Sequence, residues 1–350
     1  MKSGSLFLLV VITTVLIITG CENPMTFKTI VHDDGKLDFT LTFEESDSVP
    51  PYQTIFGIQE DKNWDVTYEA LPPKKLVYGR EEKPKYKISY TKMFESSDEW
   101  NSELDTPSDT LFRIHSSFEK KFRWFYTYLR YGETFRHINR FNKVDYEDYF
   151  NQEDFQFIER LPAEGRSISK ADSLFLERLN EKIYEHYVNM GLMEEEKYIL
   201  SEMIKRDGIG NHWLDTLENN TKLVTEIVKE YQGDRGLSIK IADSLKIPLN
   251  HESAERSVKE ITMDYYNRMD LMSFANDGKY NCSIEMPWEL RQSNADSVAG
   301  NTLYWRPFVT KFLFKDYEMW AESRKMNVWA VLVSIGVVLF TLYLFVWKRI

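Results

Sequence analysis

The chain has 350 residues, enough for one large domain or two modest ones, and it can bury a substantial core. Its formal net charge of −11 leaves no basic surplus to neutralise phosphates, so we expect no nucleic-acid partner. Two cysteines cannot make a disulfide framework. A net-negative body gains nothing from anionic lipid head groups, so attachment to a membrane must come from apolar segments.

Residues 1–20 have the pattern of a secretory signal peptide. Lys2 precedes an apolar run from Leu6 to Ile18 that is short for a bilayer span, which needs about 20 residues. The exit of this run resembles the lipobox of bacterial lipoproteins, in which the signal is cleaved before a cysteine that then carries diacylglycerol. The lipobox residues are Ile18, Thr19 and Gly20, and Cys21 is the predicted lipidation site. The alternative is an ordinary cleaved signal, or an uncleaved anchor, with Cys21 incidental.

The other end of the chain predicts a transmembrane helix. Val328 to Trp347 contains no charged residue, and 20 residues span about 30 Å as a helix. Trp329 and Trp347 lie near its ends, where amphipathic rings favour the membrane interface. A secreted amino terminus places the body in the periplasm or exterior, with the C-terminus cytoplasmic. We therefore predict a protein of the bacterial inner membrane.

Residues 21–140 predict a β-rich region. Asp34-Gly35 precedes Leu37, Phe39, Leu41 and Phe43 in strict alternation, which is the pattern of a β-hairpin. From Phe118 to Tyr131 the aromatic residues alternate along what we interpret as one long strand. Its possible ligand platform, for sugar rings or bases, comprises Phe122, Trp124, Tyr126 and Tyr128. The competing interpretation is a strand buried at its end with solvated basic residues near its start.

Residues 141–275 change to helical periodicity and predict a helical insertion. Ser169 with Asp172 is typical of a helix start, and Leu179, Ile183 and Tyr187 follow on one face. Strand patterns return in residues 276–326, at Lys279–Glu285, Leu303–Arg306 and Val309–Phe314.

The fold class predicted from this order is α+β. An antiparallel β domain is built from N- and C-terminal strands, with a helical insertion between them and one transmembrane helix in residues 327–350. We expect the second β region to return to the same sheet. We also expect both anchored ends to approach the bilayer together.

A set of short motifs resembles uncharacterised bacterial membrane-anchored lipoproteins, distantly of the LppM type. The residues that carry it are Cys21, Asp34-Gly35, Met286-Pro287, Ser293-Asn294, Gly300 and Trp305. Where Pro-Gly is expected after the late strand, this chain has Pro287-Trp288. The resemblance covers about a third of the chain by these motifs and leaves the helical segment outside. It implies a β domain anchored at both ends and implies no activity.

No motif predicts catalysis, a metal site or a cofactor. The six histidines include no pair four residues apart. The acidic cluster around Asp145 and Asp154 lacks calcium-loop spacing, and we interpret it as a solvated helix face. Glu194-Glu195-Glu196 reads as a solvated charge run. Cys282 reads as a small buried hydrophobe in a strand.

The sequence favours a noncatalytic envelope protein that acts as a scaffold, sensor or interaction partner, with the membrane and an envelope protein as its partners. The alternatives are a module that binds an apolar or glycan ligand, and an envelope hydrolase. In a eukaryote the same chain would be a type I membrane protein, with Asn281-Cys282-Ser283 as a glycosylation acceptor.

Overall fold

A computed structural model of the chain describes residues 23–45, 58, 63–71, 85–106, 112–231, 236–249, 251–276 and 278–348. The predicted signal peptide, its lipobox and Cys21 lie outside the described residues.

The first two strands form the predicted hairpin. β1 (Asn23–Val31) pairs antiparallel with β2 (Leu37–Glu45), and Gly35 in the turn has φ +101°, a conformation that suits a residue without Cβ. The alternating residues of β2 are buried, as their pattern predicts.

A seven-stranded sheet joins the two β regions of the chain. Its remaining strands are β3 (Asp65–Ala70), β4 (Tyr86–Phe94), β7 (Gly278–Glu285), β9 (Ser297–Ala299) and β10 (Thr302–Trp305), in the order β3-β4-β2-β1-β7-β10-β9. β1 pairs with β7 in register from Asn23 with Gly278 to Ile30 with Glu285. The predicted α+β class, with strands from both ends of the chain in one sheet, is confirmed. The β1–β7 pair is parallel, which the intervening chain permits because it is a long crossover.

A second sheet packs on the first through a shared apolar core. Its order is β5-β6-β11-β8, with β5 (Ile114–Phe122), β6 (Tyr126–Phe135), β8 (Glu289–Ser293) and β11 (Tyr317–Met326). The prediction of one long strand from Phe118 to Tyr131 is wrong. The chain reverses between Phe122 and Tyr126, and Arg123 N donates to Tyr126 O at 2.8 Å to close the turn. No Gly, Pro, Asn or Asp marks this reversal, so the usual turn signal is missing.

The helices lie mostly between β6 and β7. They are α1 (Ser97–Leu104), α2 (Gln152–Arg160), α3 (Lys170–Glu181), α4 (Asn189–Arg206), α5 (His212–Asn219), α6 (Thr221–Glu230), α7 (Leu237–Ser244) and α8 (His251–Asn276). A π-helical turn, Lys182–Val188, joins α3 to α4. α1 precedes the insertion and packs on β5. The Ser169 side chain accepts a hydrogen bond from Asp172 N, as predicted for a helix start.

The segment before β11 links the sheets to the helical layer. The strand predicted at Val309–Phe314 is wrong, because Val309–Phe312 forms a 3₁₀ helix. This geometry sends Phe312 into the core of the sheets and Phe314 into the core beneath α2 and α3. A strand would place both side chains on one face.

The last element is α9 (Val328–Trp347), which follows β11 after the single residue Asn327. Its most apolar window has a mean hydropathy of 2.4, and almost all of its surface is exposed. Among the described residues, α9 is the helix that has both the length and the apolar composition needed to cross a membrane.

Candidate functional site

The turn between β5 and β6 rests against the first two turns of α9. The Phe122 ring stacks on Trp329 with centroids 6.1 Å apart and an interplanar angle of 6°. Trp124 meets the same ring edge-on at 5.4 Å and donates from Nε1 to Ser334 Oγ at 2.9 Å. We use the name aromatic joint for five residues: Phe122, Trp124, Asn327, Trp329 and Ser334. Phe122, Trp124 and Trp329 all keep about half of their surface exposed.

Asn327 fixes the angle between β11 and α9. Its side chain makes no capping bond to its own helix; Oδ1 accepts from Thr127 Oγ1 at 2.9 Å, and Nδ2 donates to Arg123 O at 2.7 Å and Trp124 O at 3.2 Å. Its backbone N–H donates to Phe125 O at 2.8 Å. Four hydrogen bonds from one buried residue therefore hold the start of the helix to the turn.

The predicted ligand platform is divided between two strands and a turn. Phe122 and Trp124 belong to the aromatic joint, whereas Tyr126 and Tyr128 lie on β6 with ring centroids 6.3 Å apart. The guanidinium carbon of Arg324 lies 4.5 Å from the centroid of Tyr126. The four rings therefore do not form one strand face, and ligand binding to them stays a prediction.

Basic side chains surround the joint although the whole chain is acidic. Lys120, Lys121 and Arg123 are exposed on the turn and its approach. Lys325, three residues before α9, bonds Asp33 at 3.1 Å, and Lys120 donates to Asp33 O at 2.7 Å. Several of these basic groups have acidic partners at the surface, since Lys121 pairs with Glu119 and Arg324 with Glu289.

The contacts of Asp33 show that the end of β1, rather than its start, lies near the β11 residues that precede α9. Asp33 follows the end of β1 and touches Lys325 beside α9. Asn23, at the other end of β1, is eight residues from Val31, or about 26 Å along a strand. The start of β1 therefore lies at the end of its strand away from Lys325, and the approach of both ends of the body to one bilayer stays a prediction.

A cavity of about 370 Å³ lies between the helical layer and the 3₁₀ segment before β11. Apolar and aromatic side chains make most of its wall, among them Phe141, Ile183, Leu192, Tyr265, Met269 and Leu313. Glu196 and Asp270 also line it, and within the part of the chain that the structure describes no lysine, arginine or histidine does.

Glu196 is the most unusual group in this wall. Only 1% of it is exposed, and its Oε2 makes no hydrogen bond among the described residues. The hydroxyl of Ser238 is likewise buried, next to the Glu196 carboxyl group. Burial raises the pKa of Glu196 to about 8, although the nearby hydroxyls of Tyr265 and Ser238 offset part of the rise. The carboxyl group is therefore mostly protonated at neutral pH.

The interpretation of Glu194-Glu195-Glu196 as a solvated run is wrong. Glu195 is 2% exposed and accepts from Arg268 at 3.2 Å and from Asn142 N at 3.1 Å. Asp154, predicted on a solvated face, is also buried. Its carboxylate closes the capping box of α2 and bonds Lys182 at 2.6 Å. Sequence reasoning missed these groups because their partners are distant along the chain.

Two further expectations concern reactive groups. Cys282 is buried in β7 with no disulfide, as predicted, and burial raises the pKa of its thiol well above the usual value, so it is not a reactive thiolate. Across the described ranges, no group of three or more His, Cys, Asp or Glu side chains is arranged to hold a metal ion.

Comparison with family models, with curated proteins and with solved structures finds no match for this chain. The functional argument therefore rests on the geometry of the joint and the cavity.

Proposed function

We propose that this protein is a noncatalytic bacterial envelope lipoprotein that acts as a scaffold, sensor or interaction partner at the inner membrane. The observation that carries the proposal is the aromatic joint, which leaves no flexible linker between β11 and α9. In the proposed orientation the body lies outside the cytoplasm and Lys348 lies inside. Lipidation of Cys21 and the LppM-type resemblance belong to the same proposal.

The depth of the joint supports the location of this end of the body at a membrane surface. Ser334 lies six residues after Val328, which is about 9 Å along the helix axis. The Trp124 indole, bonded to Ser334, therefore reaches the second turn of a helix about 30 Å long. Indole rings with nearby lysine and arginine are the side chains that favour the interface between head groups and hydrocarbon.

Two anchors at opposite ends of β1 would fix the tilt of the body. A lipid on Cys21 would be attached two residues before Asn23, and Asp33, past the other end of β1, contacts Lys325, which lies three residues before α9. The two points are separated by about 26 Å of strand, so both reach one bilayer only when the strands lie close to the membrane plane. A body held in this way presents one face to membrane-bound partners at high effective concentration.

Energy transfer to the membrane surface tests the two-anchor arrangement. A fluorophore on Thr26→Cys, near the start of β1, reports its distance from acceptor lipids in vesicles; the native Cys282 is buried and should not be labelled. We expect strong transfer in the lipidated protein and much weaker transfer when Cys21→Ser removes the lipid. A label on Glu119→Cys, close to the joint, is the control and should report strong transfer with or without the lipid.

Equal transfer from position 26 with and without Cys21 would refute the second anchor while leaving α9 in place. Mass spectrometry of the mature protein provides the independent check, since lipidation adds acyl groups to its leading residue. For the role as interaction partner, we expect crosslinking in intact cells to recover an envelope protein with the wild type. Asn327→Ala, which frees the joint, should reduce that recovery at equal expression, and an unchanged recovery would contradict a role for the fixed orientation.

A further inference from the structure

We propose that the turn between β5 and β6 is embedded in the membrane beside α9, with its aromatic side chains among the lipid acyl chains of the leaflet that faces the body. The turn comprises residues 123–125, between Phe122 and Tyr126. The inference rests on the proposed span of α9 and deepens it, because it names a second element of the chain that contacts lipid.

The first argument is the apolar surface of the turn. Phe122, Trp124 and Phe125 are 60%, 48% and 48% exposed. Trp329 continues this surface onto α9, because its half-exposed ring contacts the rings of Phe122 and Trp124. Large contiguous apolar patches mark sites that contact proteins or membranes. Since this patch is continuous with a helix whose own exposed surface is apolar, the bilayer that surrounds the helix also covers the turn.

The second argument is the depth at which the turn contacts α9. Trp124 Nε1 donates to Ser334 Oγ, and Ser334 lies about 9 Å beyond Val328 along the helix axis. The apolar helix and the hydrocarbon layer have the same length of about 30 Å, so this contact lies inside the hydrocarbon layer. Ala330, one helical turn before Ser334, is fully buried, which shows that protein rather than lipid covers this face of α9.

The third argument is that polar groups of the turn are already bonded within the protein. The carbonyl groups of residues 123–125 all accept hydrogen bonds from Asn327. The indole N–H of Trp124 has its partner in Ser334. A turn in water can leave such groups to the solvent, whereas hydrocarbon offers no partner and the protein must supply one. Arg123 is the one charged residue of the turn, and its long side chain can carry the guanidinium group back to the lipid phosphates.

Fluorescence quenching by labelled lipids tests the immersion. An environment-sensitive fluorophore is attached to Phe125→Cys in the full-length protein with Cys21→Ser, since the remaining Cys282 is buried. The protein is placed in nanodiscs whose lipids carry a nitroxide near the start of the acyl chain. A label on Val333→Cys, on an exposed part of α9, reports the helix itself, and a label on Ser244→Cys, exposed on α7, reports the helical layer. We expect the nitroxide to quench positions 125 and 333 to within about twofold of each other, and iodide in the water to quench position 244 alone.

The label at position 333 separates this inference from the proposed span. Nitroxide quenching at position 333 but not at position 125 would overturn the immersion of the turn and leave the span in place. Absence of nitroxide quenching at both positions would refute the span and the immersion together. Iodide quenching at position 125 would place the turn in water, and protection from both quenchers would show that another protein or a second copy covers it. Either result also overturns the proposal.

Discussion

Glu133 gives a quantitative prediction for the stability of the body. It lies on β6 with 1% of its surface exposed, and its Oε1 accepts from Tyr131 OH at 3.1 Å. Burial raises the pKa of its carboxyl group from 4.5 to about 7, against the effect of the nearby Thr29 and Tyr131 hydroxyls. Between these two pH values the folded protein holds a proton that the unfolded chain has lost, so stability falls as pH rises through this window. With about 1.4 kcal/mol for each factor of ten, the loss above pH 7 is about 3 kcal/mol.

Glu133→Gln removes this loss, because the amide keeps the size of the side chain, accepts from Tyr131 and does not ionise. We expect the difference in unfolding free energy between variant and wild type to grow by about 2 to 3 kcal/mol in favour of the variant from pH 5 to pH 8. Denaturant unfolding of the full-length protein in a mild detergent, followed by tryptophan fluorescence, measures it. Stability curves that stay parallel over this range would show that Glu133 is not protonated in the folded state.

Two further predictions use an ion pair and a close contact. Burial alone would raise the pKa of Asp105, but hydrogen bonds from Arg136 and His115 more than offset this effect and leave the pKa below 3.8. The ionised Asp105 therefore stabilises the folded protein at neutral pH, and this contribution is lost as the pH falls below 3.8. Asp105→Asn should cost about 1 to 3 kcal/mol near pH 6 and flatten the acid side of the stability curve, and an unchanged acid side would contradict this. Gly191→Ala places a Cβ 2.6 Å from the Phe141 ring and should lower the unfolding free energy by about 1 to 3 kcal/mol, measured by thermal unfolding. The control, Gly336→Ala, meets nothing within 4 Å and should be neutral. Equal effects of the two substitutions would refute the close contact between Gly191 and Phe141.

The parts of the fold that the sequence predicts correctly depend on local signals. The Asp34-Gly35 hairpin, the helix start at Ser169 and the apolar helix α9 each follow from a few consecutive residues. The turn between β5 and β6 has no such signal, since every residue from Phe118 to Tyr131 is compatible with a strand. Its carbonyl groups are bonded by Asn327, about 200 residues later, and such a distant partner leaves no local signal.

The candidate site was harder to predict from the sequence for the same reason. The aromatic residues Phe122 and Trp124 are conspicuous in the sequence, but their partner Trp329 lies in α9, and only the fold brings the three rings together. Glu195 and Glu196 resemble a surface charge run because Arg268 and Ser238 are far along the chain. Counting charges cannot identify a buried carboxyl group; that requires knowledge of which helices pack together.

The cavity wall and the apolar helix α9 lie close together along the chain. Val309 and Leu313 belong to the cavity wall, β11 follows four residues after Leu313, and α9 follows β11 after Asn327 alone. Asn327 holds the start of α9 by hydrogen bonds to three carbonyl groups of the turn and to Thr127 of β6, whereas three residues outside any helix or strand connect Leu313 to β11. A displacement of the 3₁₀ segment would therefore reach α9 through β11, which hydrogen bonds hold between β6 and β8.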